Sequence, residues 1–269
     1  MLAWIHDEVA THSPILDITS AEPESGKTTL LGVLSFSVPR AISSVDISRA
    51  ALYGAIQQWQ PSFVIDEFDD VLAARNYSDK AELRSVINSG HTKGTGVVRC
   101  TTDEHTPELF STLCPKAIGM VGRKMPPATL SCCVVIELRR RKKSEPITKF
   151  RHEDDGELRD LRSRLRRWSM DNTEALRGCA PAMPGGFENR RADNWRIQFA
   201  IADLAGDDWG DKARAAALKI ERGSDSRTNG RVCNGQGRKE RKKGHGSQAI
   251  WGDRGRAPWR ESLRPHHQR

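Results

Sequence analysis

The chain predicts an α/β fold with a mainly parallel sheet, followed by a small helical lid and a disordered basic C-terminal tail. Three observations carry this. Short β-branched runs alternate with helix-length segments up to residue 150, the pattern of βαβ units. Strand signals then stop, and segments with helical spacing follow. From residue 223 neither period survives, and Gly, Arg and Lys run throughout. The predicted domains are therefore 1–150, 151–222 and 223–269.

The elements follow in order. Residues 2–11 predict a short helix, and ILDIT (15–19) a strand. Thr28 to Phe36 is apolar at helical spacing. SVDIS (44–48) reads as a short strand, and Ser48 can N-cap a helix to about Gln58, which ends before Pro61. SFVI then runs into the acids DEFDD. Lys80 to Ser89 predicts a helix stopped by Gly90. GVVRCT, KAIGMVG and CCVVIEL are β-type runs, and RRRKK (139–143) reads as a solvated strand exit, with a nucleic-acid contact as the alternative.

Past Phe150, Leu158, Leu161, Leu165 and Trp168 recur at spacings of 3, 4 and 3, one apolar stripe on a charged helix. The loop GCAPAMPGG separates it from two further helices, 190–205 and 209–222, in which Trp195, Phe199 and Leu204 read as core.

Charge and cysteine use narrow the function classes. The net charge is +8, but Arg231–Arg269 holds 11 basic and 3 acidic residues, leaving 32 of each sign before it. A charge argument for nucleic-acid binding thus applies to the tail alone. Six cysteines show neither a C-x-x-C pair nor zinc spacing, so they read as reduced packing thiols. No leader pattern and no stretch of about 18 apolar residues is present, which predicts a cytoplasmic protein without a membrane span.

The chemistry centres on AEPESGKT (21–28), which fits G-x-x-x-x-G-K-[ST] except that Ala21 stands at the first glycine. A predicted strand precedes it and a predicted helix follows, the context a P-loop requires, because backbone N–H groups and the helix N-terminus then face phosphates. Ala21, Glu22, Pro23, Glu24, Ser25, Gly26, Lys27, Thr28 and Thr29 are the predicted nucleotide-binding residues, with Thr29 belonging mainly to the helix. Lys27 would neutralise phosphate charge, and Thr28 would offer its hydroxyl to Mg²⁺. In FVIDE an apolar strand delivers Asp66 as a metal-positioning carboxylate and Glu67 as the base that polarises water. ATP and Mg²⁺ are the implied cofactors. His91 in NSGH reads as a hydrogen-bonded structural group in preference to a catalytic one.

The order AEPESGKTTLL, FVIDEFD, ELRSVINSGHTKGTGVVRC, CPKAIGMVG, PPATLSCCVVIELRRR and NRRADNWRIQFAIADLAG resembles an uncharacterised P-loop domain family of bacterial, phage and plasmid proteins, over about residues 2–222. NSGH and RADNW are its most specific pieces. The resemblance implies an AAA+-like fold with a helical lid and ATP hydrolysis in DNA replication or mobile-element maintenance. It also implies a homo-oligomer, DNA as partner, and adjoining primase or helicase modules. Candidate sensor or lid residues are Thr101, Arg123 and Arg190. Related sequences place an arginine where this chain has Cys132, and Arg123 lies near the same edge. The family normally continues with more helix after residue 222. The abrupt Gly/Arg/Trp mixture suggests a reading-frame change near 229–231, the rival being a basic arm with Trp251 and Trp259 as stacking surfaces. The combined expectation is an ATPase motor; a nucleotide-binding switch that hydrolyses poorly is the alternative.

Overall fold

The computed structural model describes residues 1–44, 49–69, 84–100, 106–122, 124–147, 150 and 155–235. Through them run α1 (Leu2–Val9), β1 (Ile15–Ser20), α2 (Lys27–Ser37), β2 (Ala41–Ser44), α3 (Arg49–Trp59) and β3 (Ser62–Ile65). A helical stretch at 84–89 precedes β4 (Gly96–Cys100), β5 (Pro107–Ser111), β6 (Lys116–Val121), α4 (Pro127–Leu130) and β7 (Cys133–Leu138). Three longer helices close the order: α5 (Asp155–Leu176), α6 (Asn189–Leu204) and α7 (Trp209–Gly235). None of the described helices is long and apolar enough to cross a membrane.

Five strands pair in the order β2-β3-β6-β1-β7, every pair parallel. A parallel sheet needs cover on both faces, and side-chain alternation supplies it here. Ile15, Phe63, Ile65, Ile118, Met120 and Val135 share one face with Leu52 and Ile56 of α3. Ile18, Val64 and Ala117 share the other with Leu31 of α2. Because β6 lies between β1 and β3, three strand ends line up: Ser20 pairs with Val121, and Ile65 with Ile118.

The parallel α/β sheet expected from the sequence is present, but one of its assigned strands lies elsewhere. GVVRC forms β4 of a separate two-stranded antiparallel sheet with β5. PELFS is not legible as a strand in the sequence because it begins with proline and all but one of its residues are exposed, leaving no apolar run to read. The strand of this region, Ala41–Ser44, precedes the SVDIS run and shares only Ser44 with it; 45–48, including the proposed cap Ser48, lie outside the described residues.

The helical segment packs as a unit with α1. Ile5 joins Leu176, Ile197 and Ala200, with Trp168 against them. Phe187, Trp195, Phe199 and Ala217 gather on Val134 of β7. Trp195 and Phe199 stack at 5.6 Å, as core residues should. Leu204 does not belong with them: at the last position of α6 it is 39% exposed, beyond the reach of the core. Leu161 likewise leaves the predicted stripe, at 44% exposure.

Met1–Arg227 forms one compact unit and Thr228–Arg269 a second, of which only helical backbone at 228–235 is described. α7 does not end at Arg222 as predicted but runs through Gly223 to Gly235. Once nucleated, a helix gains one backbone hydrogen bond for each residue it adds, which the sequence reading of this Gly- and Ser-containing segment did not anticipate. The rest of the predicted tail, 236–269, lies outside the described residues.

Candidate functional site

All parallel strands point the same way, so their C-terminal ends share one edge, where open α/β sheets bind ligands. β1 delivers residues 21–26 to that edge, and α2 begins at Lys27. Two loop residues take left-handed backbone, Glu24 (φ 57°) and Gly26 (φ 88°, the N-cap of α2). Glycine is therefore needed at position 26. Ala21 is not among the left-handed residues, so alanine there imposes no backbone strain.

Lys27 donates its ammonium across the loop to Ser20 Oγ at 2.7 Å and, at 3.5 Å, to Ser25 Oγ. Ser20 Oγ in turn donates to the Glu22 carbonyl at 2.6 Å. Thr28 Oγ1 donates to Asp66 Oδ2 at 2.7 Å, joining the start of α2 to the end of β3 across the intervening β6. Thr29 continues the helix.

Asp66 is held in place by a gap in β6. A Cβ on Gly119 would lie 2.8 Å from Asp66 Oδ1 and 2.7 Å from the Leu31 Cδ1 methyl, so a side chain there would push the carboxylate or the methyl aside. The second Asp66 oxygen, Oδ1, accepts the Glu67 N–H at 2.9 Å. Glu67 itself sits at φ 53°, left-handed and exposed, a conformation costing about 1–2 kcal/mol for a residue with a side chain. Strain of this kind gathers at functional sites.

Asp69, part of the acidic run after β3, has another job. Its carboxylate accepts from Val121 N at 3.2 Å and Lys124 Nζ at 3.0 Å, tying down the end of β6. Burial pushes its pKa up, but these two donors outweigh that and hold it below the ordinary value. Next to Val121, Gly122 N bonds Ser20 O at 2.8 Å, bringing this chain segment beside the loop.

The other predicted residues divide. Thr101 and Arg123 lie outside the described residues, as does Asp70. β4, which leads to Thr101, is not a strand of the parallel sheet, in which β6 lies between β1 and β3. Arg190, which could reach the nucleotide from the helical segment or equally serve a structural role, bonds Ser131 Oγ at 2.8 Å and Cys132 Sγ at 3.3 Å. Those residues precede β7, whose first residue pairs with Ile15 at the start of β1. Arg190 and the 2% exposed Cys132 thus occupy the opposite edge of the sheet, a strand length of about 17 Å from the loop.

At that edge NSGH and RADNW meet. His91, 4% exposed, has Nε2 2.8 Å from Asn194 Oδ1, and Asn194 Nδ2 donates to the Ser131 carbonyl at 3.1 Å. This pair is a buried junction between the sheet and α6, as the structural reading of His91 expected. The described cysteines are free, and burial raises the thiols of Cys114 and Cys133, which makes them poor nucleophiles.

Gly119 and Arg140 escape a reading of the sequence alone. Arg140, in the RRRKK run, donates to Glu24 Oε2 at 3.0 Å and to the Pro23 carbonyl at 3.4 Å. Both residues owe their place to strand register, which a single run of residues does not display.

Comparisons with known proteins find similarity over parts of the chain. A family described as "Protein of unknown function (DUF3631)" matches residues 137–233, from the end of β7 into α7. An "Uncharacterized 28.9 kDa protein in xis 5'region" of Saccharopolyspora erythraea is 37% identical over 84 residues, and the chain spans 31% of that relative's length. A solved structure of JCV helicase bound to a thiazolopyridine-containing acetamide is 13% identical, with a TM-score of 0.33. That match covers 84% of this chain and 55% of the helicase chain.

Proposed function

We propose that the chain is a Mg²⁺-dependent ATP-binding and ATP-hydrolysing module of a phage, plasmid or mobile-element DNA replication protein, acting as a helicase- or primase-associated motor. The observation that carries this is the Thr28 hydroxyl on the Asp66 carboxylate, with Lys27 reaching across a loop that ends in a left-handed glycine. A hydroxyl and a carboxylate are hard oxygen donors, the set that suits Mg²⁺ when waters and phosphate oxygens complete its shell. The residues present fit the group: Thr28 and Asp66 would hold the metal, and the backbone of 21–28 the phosphates. A Mg²⁺ held by these residues would supply positive charge to offset that of the phosphates.

Each side chain then has a task. Lys27 supplies a positive charge over the phosphates, at present turned to Ser20. Gly119 keeps Asp66 in register, and Glu67, exposed beside Asp66, accepts a proton from the attacking water. DNA, a second copy of the chain and an adjoining primase or helicase module are the partners this reading carries. The relative named for an xis 5' region supports the mobile-element setting.

A second reading, a nucleotide-binding switch with little hydrolysis, is favoured by one observation. Cys132 stands where related sequences carry an arginine that could reach a neighbouring subunit's phosphate, and Arg190 is bonded to Cys132 at the far edge of the sheet.

ATP turnover with and without single-stranded DNA, measured for wild type, Lys27→Ala and Glu67→Gln, separates the two. Wild-type turnover stimulated by DNA, with nucleotide binding weakened at least about tenfold in Lys27→Ala, supports the motor. Wild-type turnover no higher than that of Glu67→Gln, with nucleotide still bound, leaves only the switch.

Gly119→Ala is expected to displace Asp66. Overpacking of this size costs about 1–3 kcal/mol, and the Mg²⁺ dependence of nucleotide binding should flatten. Thermal unfolding and titrations with and without Mg²⁺ check both effects; an unchanged Mg²⁺ dependence would show that Asp66 does not hold the metal.

A further inference from the structure

We propose that Arg140 is the positioning residue of the phosphate loop, balancing the two carboxylates that the loop itself carries; this rests on the reading of 21–28 as phosphate-binding. Residues 21–28 contain Glu22, Glu24 and one cation, Lys27, so by themselves they are net negative. A negative loop repels the ligand it is shaped for. Both acids are largely exposed, and nothing within the loop besides Lys27 offsets them.

The fold brings the missing charge from another strand. β7 pairs with β1 so that Leu138 lies opposite Ser20, and the residue two beyond Leu138 overhangs the loop that leaves Ser20. That residue is Arg140. It bonds Glu24 Oε2 at 3.0 Å and the Pro23 carbonyl at 3.4 Å, and its Nε lies 3.9 Å from Glu22 Oε2. One guanidinium thus touches three successive loop residues, 22 to 24, including Glu24, whose backbone is left-handed.

Its neighbours are committed elsewhere, which marks Arg140 out from the basic run. Arg139 forms a two-pronged pair with the Glu145 carboxylate, and Arg141 donates to the Glu145 carbonyl. Arg139 and the Lys142 N–H hold the Glu145 carboxyl down at about 2, so that partnership persists across ordinary pH. Of the three arginines only Arg140 bonds the loop. A planar fork that can meet a carboxylate and a carbonyl together also explains why arginine suits this place better than lysine.

The pairs are exposed, so their effect is moderate and screened by salt. Arg140→Ala is expected to weaken ATP binding about tenfold at low salt, and less at high salt, while Arg140→Lys weakens it about threefold. Removing the acids as well, in Arg140→Ala with Glu22→Gln and Glu24→Gln, is expected to restore affinity to within about threefold of wild type. Adenosine, which lacks phosphates, should not sense Arg140→Ala.

Equilibrium titration of ATP and adenosine against these variants, with Lys27→Ala alongside and thermal unfolding for each, tests the assignment. Rescue by the two glutamines supports the proposal, because a purely structural arginine would not be replaced by neutralising its partners. Arg140→Ala binding ATP like wild type, while Lys27→Ala loses it, overturns the role of Arg140 and leaves the phosphate loop standing. A loss that the glutamines do not relieve also overturns it. If wild type and Lys27→Ala alike bind no ATP, the phosphate-loop reading fails and takes this one with it.

Discussion

Glu67→Gln is expected to bind ATP within about twofold of wild type while turnover falls by about 10²–10⁴-fold, the range a positioned general base contributes. The substitution keeps the size of the side chain and its amide can still orient water, but it cannot take a proton. The backbone at 67 is already left-handed at φ 53°, held by the Glu67 N–H on Asp66 Oδ1, and neither feature depends on the carboxylate. The Thr28–Asp66 bond should therefore persist, and with it the Mg²⁺ dependence of binding. Asp66→Asn should do the opposite, lowering Mg²⁺-dependent affinity as well as turnover. Single-turnover hydrolysis with saturating ATP separates the two variants. Equal rates for wild type and Glu67→Gln would remove Glu67 as the base.

The loop and the carboxylates were legible because their chemistry is local. Gly26, Lys27 and Thr28 are consecutive, and the acids follow the strand that delivers them, so residue order predicts their meeting once both strands are parallel. The doubt raised by Ala21 was also a local question, and the backbone answers it: the left-handed positions are 24 and 26. What could not be read was anything fixed by strand order. VVRC has the composition of a sheet strand, yet nothing in it says which neighbour it takes, and it pairs only with β5. Gly119 becomes informative only after β6 is known to lie beside β3, and Arg140 only after β7 is registered against β1.

Arg190 shows the same limit from the other side. Arginines on a helix after the core predict a hand reaching to the phosphates, but sequence distance carries no information about sheet edge. The residues that Arg190 meets, Ser131 and Cys132, enter β7 at its N-terminal end, so the helix docks at the edge away from the loop. NSGH and RADNW, the most specific pieces of the family resemblance, join there and serve the fold.

That junction yields the largest expected change in stability. Asn194 is 3% exposed and joins His91 Nε2 to the carbonyl of the exposed Ser131, so Asn194→Leu leaves the buried imidazole nitrogen without its partner and removes the bond to Ser131 as well. At about 1–3 kcal/mol for the orphaned buried nitrogen and about 1 kcal/mol for the lost bond to Ser131, the loss is about 2–4 kcal/mol, which lowers the unfolding midpoint by roughly 4–16 °C in a unit of this size. The deficit should also depend on pH. Burial depresses the His91 pKa below 6.5, with the nearby His12 and Arg190 acting the same way, while the Asn194 bond and Asp193 oppose them. A depressed pKa means the folded state resists a proton the unfolded chain accepts. Its stability contribution is complete above 6.5 and is lost as pH falls below that value toward the depressed one. Removing Asn194 takes away a group that raises the His91 pKa, so the variant should fall further behind wild type as pH drops from about 7.5 to about 5.5. Denaturant unfolding at both pH values tests this, and a gap that stays constant or narrows on acidification would mean that His91 is not the titrating group at the junction.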